Sequence, residues 1–188
     1  HNYFDLDSIY ATTSDFYIHK DTIAIHTSQL KARESKIDFH IEQLATDFQY
    51  CRSSMEFVNT NVKTRLSHIS KYVRFEYDNT SNFNHFIDSV NIIAELDSTY
   101  IHTQELKYFA PPVKRFKDSW GVSGSFKGTV ANFRSKNCQL SFGRHSILKT
   151  SRLAISGLPH IQESNIRADL YPSKVIHSDV TQYVRNKK

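Results

Sequence analysis

Glycine and proline are scarce in this chain, five and four residues out of 188. No glycine precedes Gly121 and no proline precedes Pro111, so the early turns have to rest on Asp, Asn and Ser chemistry. The same scarcity leaves no glycine-rich phosphate loop. Gly124-Ser-Phe-Lys-Gly128 lacks every other element of a P-loop, and neither a GxGxxG fingerprint nor a GxSxG elbow occurs. Cysteine appears only as Cys51 and Cys138, in no CxxC or zinc spacing. Two buried thiols are the expected state, with a disulfide as the alternative in an oxidising compartment. No apolar run approaches the length of a membrane-spanning helix. Hydrophobic residues make up 39%, against roughly 45–50% in compact globular domains. That deficit suits a sheet with one wet face better than a core buried on both sides.

What the chain does have is alternation. Ile37-Asp-Phe39-His-Ile41, Val73-Arg-Phe75-Glu-Tyr77, Val90-Asn-Ile92-Ile-Ala94-Glu-Leu96 and Leu153-Ala-Ile155 place apolar residues on every second position. Period two gives a strand one apolar and one polar face. Phe16-Tyr17-Ile18 and Ile23-Ala24-Ile25 flank the polar patch His19-Lys-Asp-Thr22, the pattern of an antiparallel hairpin. The theme weakens around Met55, Phe57, Val62 and Leu66. One stripe breaks it: Phe83, Phe86, Ile87 and Val90 recur at helical spacing, predicting a short amphipathic helix near 82–90 with Ser81 or Asn82 as its cap. A second helical turn is expected at Gln104–Phe109, capped by Thr103 and stopped by Pro111-Pro112. Val122, Phe126 and Val130 share a face with Gly124 and Gly128 between them, a strand that bends or admits a close backbone. The fold class is mainly β, and no domain boundary or exact internal repeat is visible.

A net charge of +5 and a pI of about 9.1 raise nucleic acid or anionic lipid as partners. The cations are dispersed, however, apart from Lys114-Arg115-Phe-Lys117 and the tail Arg185, Lys187, Lys188, and solvated strand faces account for them without nucleic acid. Ten histidines, among them His19, His26, His40, His68, His102, His145 and His160, stand in no HxxxH or HExxH spacing. No metal site is assigned, although ligands from separate strands can converge. Asp5 and Asp7 form an unspecific carboxylate pair on a polar strand face. Ten Tyr and thirteen Phe could stack on bases or sugars, but they are also good strand formers that fill half-buried faces. No catalytic set, cofactor motif or enzyme signature emerges. The opening His1-Asn2, without an initiator Met, sets the expectation of a soluble chain that is an excised fragment or a mature segment.

From Tyr72 to Asp179 a series of pieces carries a resemblance. It runs through Phe75-Glu-Tyr-Asp78, Asn82-Phe-Asn-His-Phe-Ile-Asp-Ser-Val90, Ala94-Glu-Leu-Asp-Ser98 and Leu106-Lys-Tyr-Phe-Ala-Pro111. It continues with Val122-Ser-Gly-Ser-Phe-Lys-Gly-Thr-Val-Ala-Asn-Phe133, Leu140-Ser-Phe-Gly143 and Ile155-Ser-Gly-Leu-Pro159. In order and spacing this stretch resembles the TamB family of translocation and assembly module proteins, within the AsmA-like superfamily; residues 1–71 match only in style. The resemblance implies a long, twisted antiparallel sheet curled into an open apolar trough, of which residues 1–188 would be one segment. It implies a periplasmic location, an inner-membrane anchor outside this segment and an outer-membrane barrel partner of the TamA type. It further implies phospholipid transport between the membranes and a part in outer-membrane protein assembly, without catalysis, cofactor, metal or nucleic acid. A scaffold that holds barrel precursors by strand addition is the alternative, and a sugar- or nucleic-acid-binding β domain a weaker third.

If a trough carries acyl chains, its floor is made by the inward positions of successive strands. The candidates are Ile37, Phe39 and Ile41, then Val73 and Phe75, and Ile92, Ala94 and Leu96. Leu140 and Phe142, with Leu153 and Ile155, complete the set. The competing expectation is an ordinary closed core.

Overall fold

Short polar turns do most of the folding. In the computed structural model, which describes residues 6–36, 38–106, 116–158 and 163–184, Lys20 and Asp21 alone connect the first two strands, with Lys20 at φ 54°. Arg52 and Ser53 make an equally tight second hairpin. Ten strands result: β1 Leu6–His19, β2 Thr22–Glu34, β3 Phe39–Cys51, β4 Ser54–Thr64, β5 His68–Glu76, β6 Asn91–His102, β7 Ser119–Gly128, β8 Asn132–Phe142, β9 Ser146–Ser156 and β10 Asn165–Leu170. They pair in chain order, every pair antiparallel, into a single sheet. β1 and β10 do not pair, so the sheet is open, and the mainly β class read from the alternation holds.

Among the described residues, helix is confined to two connections between strands and a segment after β10. Between β5 and β6 the Phe83/Phe86 stripe forms a 3-10 segment, Thr80–His85, followed by a single α-turn, α1 Phe86–Ser89. Its cap is Asn79, not Ser81 or Asn82: the Asn79 side chain accepts from the Ser81 amide at 2.9 Å, while Asn82 reaches back to the Asn79 amide at 3.2 Å. The reciprocal pair forms because Asn79, still extended, lies three residues before an amide side chain. After β6 comes α2, Thr103–Leu106. Thr103 does not cap it; its hydroxyl donates to the Phe116 carbonyl at 2.7 Å, and His102 Nδ1 accepts from the Gln104 amide instead. Pro111 and Pro112, expected to stop this turn, lie outside the described residues. A third helix, α3 His177–Val184, had no counterpart in the apolar pattern.

The expectation that only one helix interrupts the alternation needs correction, because bulges interrupt it inside the strands. Register slips by one residue in β2 near Ser28, in β4 at Asn59, in β6 at Ser98 and between β7 and β8 at Asn137. Asn59, Ser98 and Asn137 have φ of 53°, 51° and 49°, the left-handed conformation that lets a short polar residue absorb an extra position. Each is followed by a small buried residue, Thr60, Thr99 and Cys138. Opposite Asn137, Gly124 at φ 129° allows close approach: a Cβ there would stand 2.9 Å from the Asn137 carbonyl oxygen. Of the two readings of the glycines, a bend or a close backbone approach, this is the close approach.

The bulge line is a crease. Thr46, Thr99 and Thr150 are 3%, 2% and 2% exposed, although among the described residues no second layer of strands covers them. In a flat single sheet these side chains would face water, so the sheet must curl around them. Thr27 pairs directly with Thr46, and the Thr46 and Thr60 hydroxyls lie 3.1 Å apart. Cys51 is half-buried on β3 and Cys138 buried on β8, both free thiols.

Candidate functional site

Residues directly opposite in an antiparallel pair point to the same face, so the register traces the sheet's faces strand by strand. One row runs Ile18, Ile23, Tyr50, Met55, Phe75, Ile92, Gly128, Phe133, Ile155, Ile166, touching every strand. A second, one pleat nearer the crease, runs Ile25, Phe48, Phe57, Val73, Ala94, Phe126, Ser135, Leu153, Ala168. Beyond the crease the same face carries Leu30, Leu44, Val62 and Ile69 in one set of pairings. Val122, Leu140 and Leu148 continue it across β7, β8 and β9. Most of these side chains are only half-buried, as expected where a curled sheet covers its own concave side without sealing it.

Of the sequence-derived candidates, Phe39 and Ile41 pair with Glu34 and Ala32 on the concave face of the far half. Val73, Phe75, Ile92, Ala94, Leu153 and Ile155 lie in the two near rows. Leu96 ends its run just before the Ser98 bulge, opposite Gly124, and Leu140 and Phe142 lie beyond the crease. The structure thus brings these eleven to one face; Ile37 lies outside the described residues. Sequence reasoning missed Ile25, Phe48, Phe57, Phe126 and Phe133. Phe57 and Val62 share the concave face five positions apart, an odd spacing that only the bulge at Asn59 makes possible.

One end of the groove is closed by aromatics. Phe48 and Phe57 have ring centroids 4.9 Å apart, Phe57 and Phe75 6.1 Å, and Phe75 and Phe86 5.8 Å. The chain continues through Phe83 to Tyr77, whose hydroxyl donates to the Cys51 carbonyl. The helical insert therefore lies over the end of the apolar face. It is tied to the β7–β8 turn by the Ala131 amide, which donates to the Ile87 carbonyl at 3.0 Å, and by the buried Val90.

Carboxylates hold the opposite end. Glu105 of α2 accepts from the Thr64 and Ser67 hydroxyls at 2.6 and 2.5 Å and from the Leu66 amide, clamping the β4–β5 turn. Asp179 of α3 does the same for the β8–β9 turn, accepting from the His145 amide at 3.1 Å and the Ser146 hydroxyl at 2.8 Å. Those bonds, the His145 amide first, hold its carboxyl below the usual range. Asp118 Oδ2 receives the Gly143 amide at 2.9 Å.

The convex face is polar. His26 pairs with Asp47 at 2.5 Å, Tyr72 donates to Glu56 at 2.6 Å, and Lys71 meets Glu95 at 3.4 Å. At the β2–β3 turn Asp38 bridges Arg33, His40 and Arg65; the His40 hydrogen bond, ahead of Arg65, lowers its pKa to about 2. Among the described residues no group of three or more His, Cys, Asp or Glu is placed to hold a metal ion. No described helix is long and apolar enough to cross a membrane.

Fold and site together define a class: an open, single-layer antiparallel sheet that presents an apolar concave face. Comparison with family models, curated proteins and solved structures finds no match for this chain.

Proposed function

We propose that this chain is a length of lipid conduit, a TamB-like segment whose concave face shelters phospholipid acyl chains passing between the inner and outer membranes. The observation that carries the reading is the continuity of the two near rows, one touching all ten strands and the other running from β2 to β10, which keep one face largely apolar with no second layer of strands over it among the described residues. Each methylene that such a groove removes from water is worth about 0.8 kcal/mol, so a groove alone holds lipid without any reactive group. The role is non-catalytic and periplasmic, with an anchored remainder and a TamA-type barrel as the expected partners. The order and spacing of the pieces between Tyr72 and Asp179 support the assignment.

A second reading has its own observation. Among the described residues the outer edge of β1, fourteen residues long, has no neighbouring strand, a template on which an unfolded barrel strand could add. Strand-pairing cross-links from β1 to a barrel precursor, without lipid capture, would favour this scaffold.

The deciding experiment uses Ile155→Asp and Leu96→Asp, each half-buried on the concave face. Both variants are expected to fold, with thermal midpoints near the parent, and to lose photo-crosslinking to phospholipid. Folded variants that crosslink as well as the parent would refute the conduit. Unfolding would signal a sealed core, where an unpaired carboxylate costs several kcal/mol.

A further inference from the structure

The register also collects charge on the opposite face. Lys127 pairs with Arg134, Arg134 with Ala154, and Ala154 with Arg167, so three cations from β7, β8 and β10 line one convex row around a small alanine. Lys136 stands one pleat away, beside an Arg152 already matched to Asp169 at 3.3 Å. Lys127, Arg134, Lys136 and Arg167 are all exposed, and none has a carboxylate within ion-pair distance among the described residues. They line a depression of about 900 Å³ together with Ala154, Ser125 and Glu95, the last already paired with Lys71. The other basic cluster, at the β2–β3 turn, is by contrast partly neutralised by Asp38.

The same edge has a second property. On the concave side of β10, Ile166 and Leu170 are each 62% exposed. The β10 lip is therefore basic outside and apolar inside, with no aromatic ring in the convex row on which a base could stack. The β1 edge differs: it has exposed apolar residues but no Lys or Arg, and it carries Asp7 and Asp15.

From this asymmetry we infer that the β10 lip is a docking edge for an anionic membrane surface, its convex cations on the phosphates and its apolar inner wall at the headgroup–acyl boundary. Clustered Lys and Arg bind anionic lipid in a salt-dependent way, and exposed aliphatic side chains add the apolar part. The inference goes beyond the conduit reading and stands without it, because it rests on the opposite face and on one edge.

The test is co-sedimentation of the chain with vesicles of phosphatidylglycerol and phosphatidylcholine, compared with vesicles of phosphatidylcholine alone. Binding is expected only to the anionic vesicles, weakening as salt rises. Arg134→Gln with Arg167→Gln should weaken it at least tenfold, at roughly fivefold per charge. Ile166→Ser with Leu170→Ser should weaken it at unchanged salt dependence. Lys31→Gln with Lys63→Gln, which line a separate depression together with Arg33 and His40 beside the β2–β3 turn, should leave it unchanged. Circular dichroism confirms the fold of each variant. Equal binding to neutral vesicles, full binding by the Arg134/Arg167 variant, or tighter binding of a single-stranded oligonucleotide than of anionic vesicles would each overturn the inference. Loss of groove crosslinking by Leu96→Asp with vesicle binding intact separates the two readings.

Discussion

At the scale of single residues, carboxylates decide how firmly the ends of the sheet are tied. Asp179 accepts from the amides of His145 and Arg144 in the β8–β9 turn, and those donors hold its pKa below the ordinary 3.8. A group whose pKa is depressed by folding stabilises the fold fully above its unfolded value, and the contribution fades as pH falls through the folded one. Protection of the His145 amide, taken relative to its intrinsic exchange rate at each pH, should therefore be full at neutral pH and fall on acidification below the normal carboxylate range. Asp179→Asn should flatten that dependence. Asp38, whose pKa the His40 hydrogen bond lowers to about 2, should keep the β2–β3 turn tied until the pH falls toward that value. An unchanged exchange profile in Asp179→Asn would show that the turn holds itself without the carboxylate.

At the scale of elements, the insert between β5 and β6 is too short to be a stable helix by itself. Its position comes from the Phe48–Phe57–Phe75–Phe86 contacts and the Ala131 amide. Each aromatic pair contributes about 0.5–1.5 kcal/mol beyond buried area. Phe86→Ala is thus expected to destabilise the protein by about 1–2 kcal/mol in urea unfolding and to raise exchange selectively across residues 80–89. A uniform rise over the whole sheet would instead make Phe86 part of the global core.

The elements were legible in unequal measure, for physical reasons. Strand identity could be read from Val73, Phe75, Ile92 and Ala94 because these segments lie wholly on one side of a bulge. Phe57 and Val62 could not be placed together, since the left-handed turn at Asn59 reverses the alternation between them and no residue type announces it unambiguously. The mid-strand crease was equally hidden: it is built of Thr and Cys, which read as polar filler until the register lines them up. The Asn79 cap was missed because the helical stripe starts four positions later, at Phe83. The shared face of the eleven candidates followed from the alternation within each strand, but the ring ladder that closes one end needed the pairing of β3 with β4.

At the scale of the whole molecule, the strand order has a consequence for how the sheet is made and unmade. Every strand pairs only with its neighbours in the chain, so no pairing waits for a distant segment to arrive. Sheets built from long-range pairings are slow to fold because loop closure opposes them; this one can grow from any hairpin outward. Its stability then resembles that of a linear array, a sum of neighbour interfaces in place of one indivisible core. Removing residues 1–36, which carry β1 and β2, should leave amide protection in β5–β9 nearly intact while lowering it in β3, the new edge. Collapse of protection throughout would mean that the crease couples the strands into one cooperative unit. If protection is instead lost locally, the protein is extensible: hairpins can be added to or taken from either edge without redesigning the rest, and the length of the groove becomes a quantity that selection can adjust one hairpin at a time.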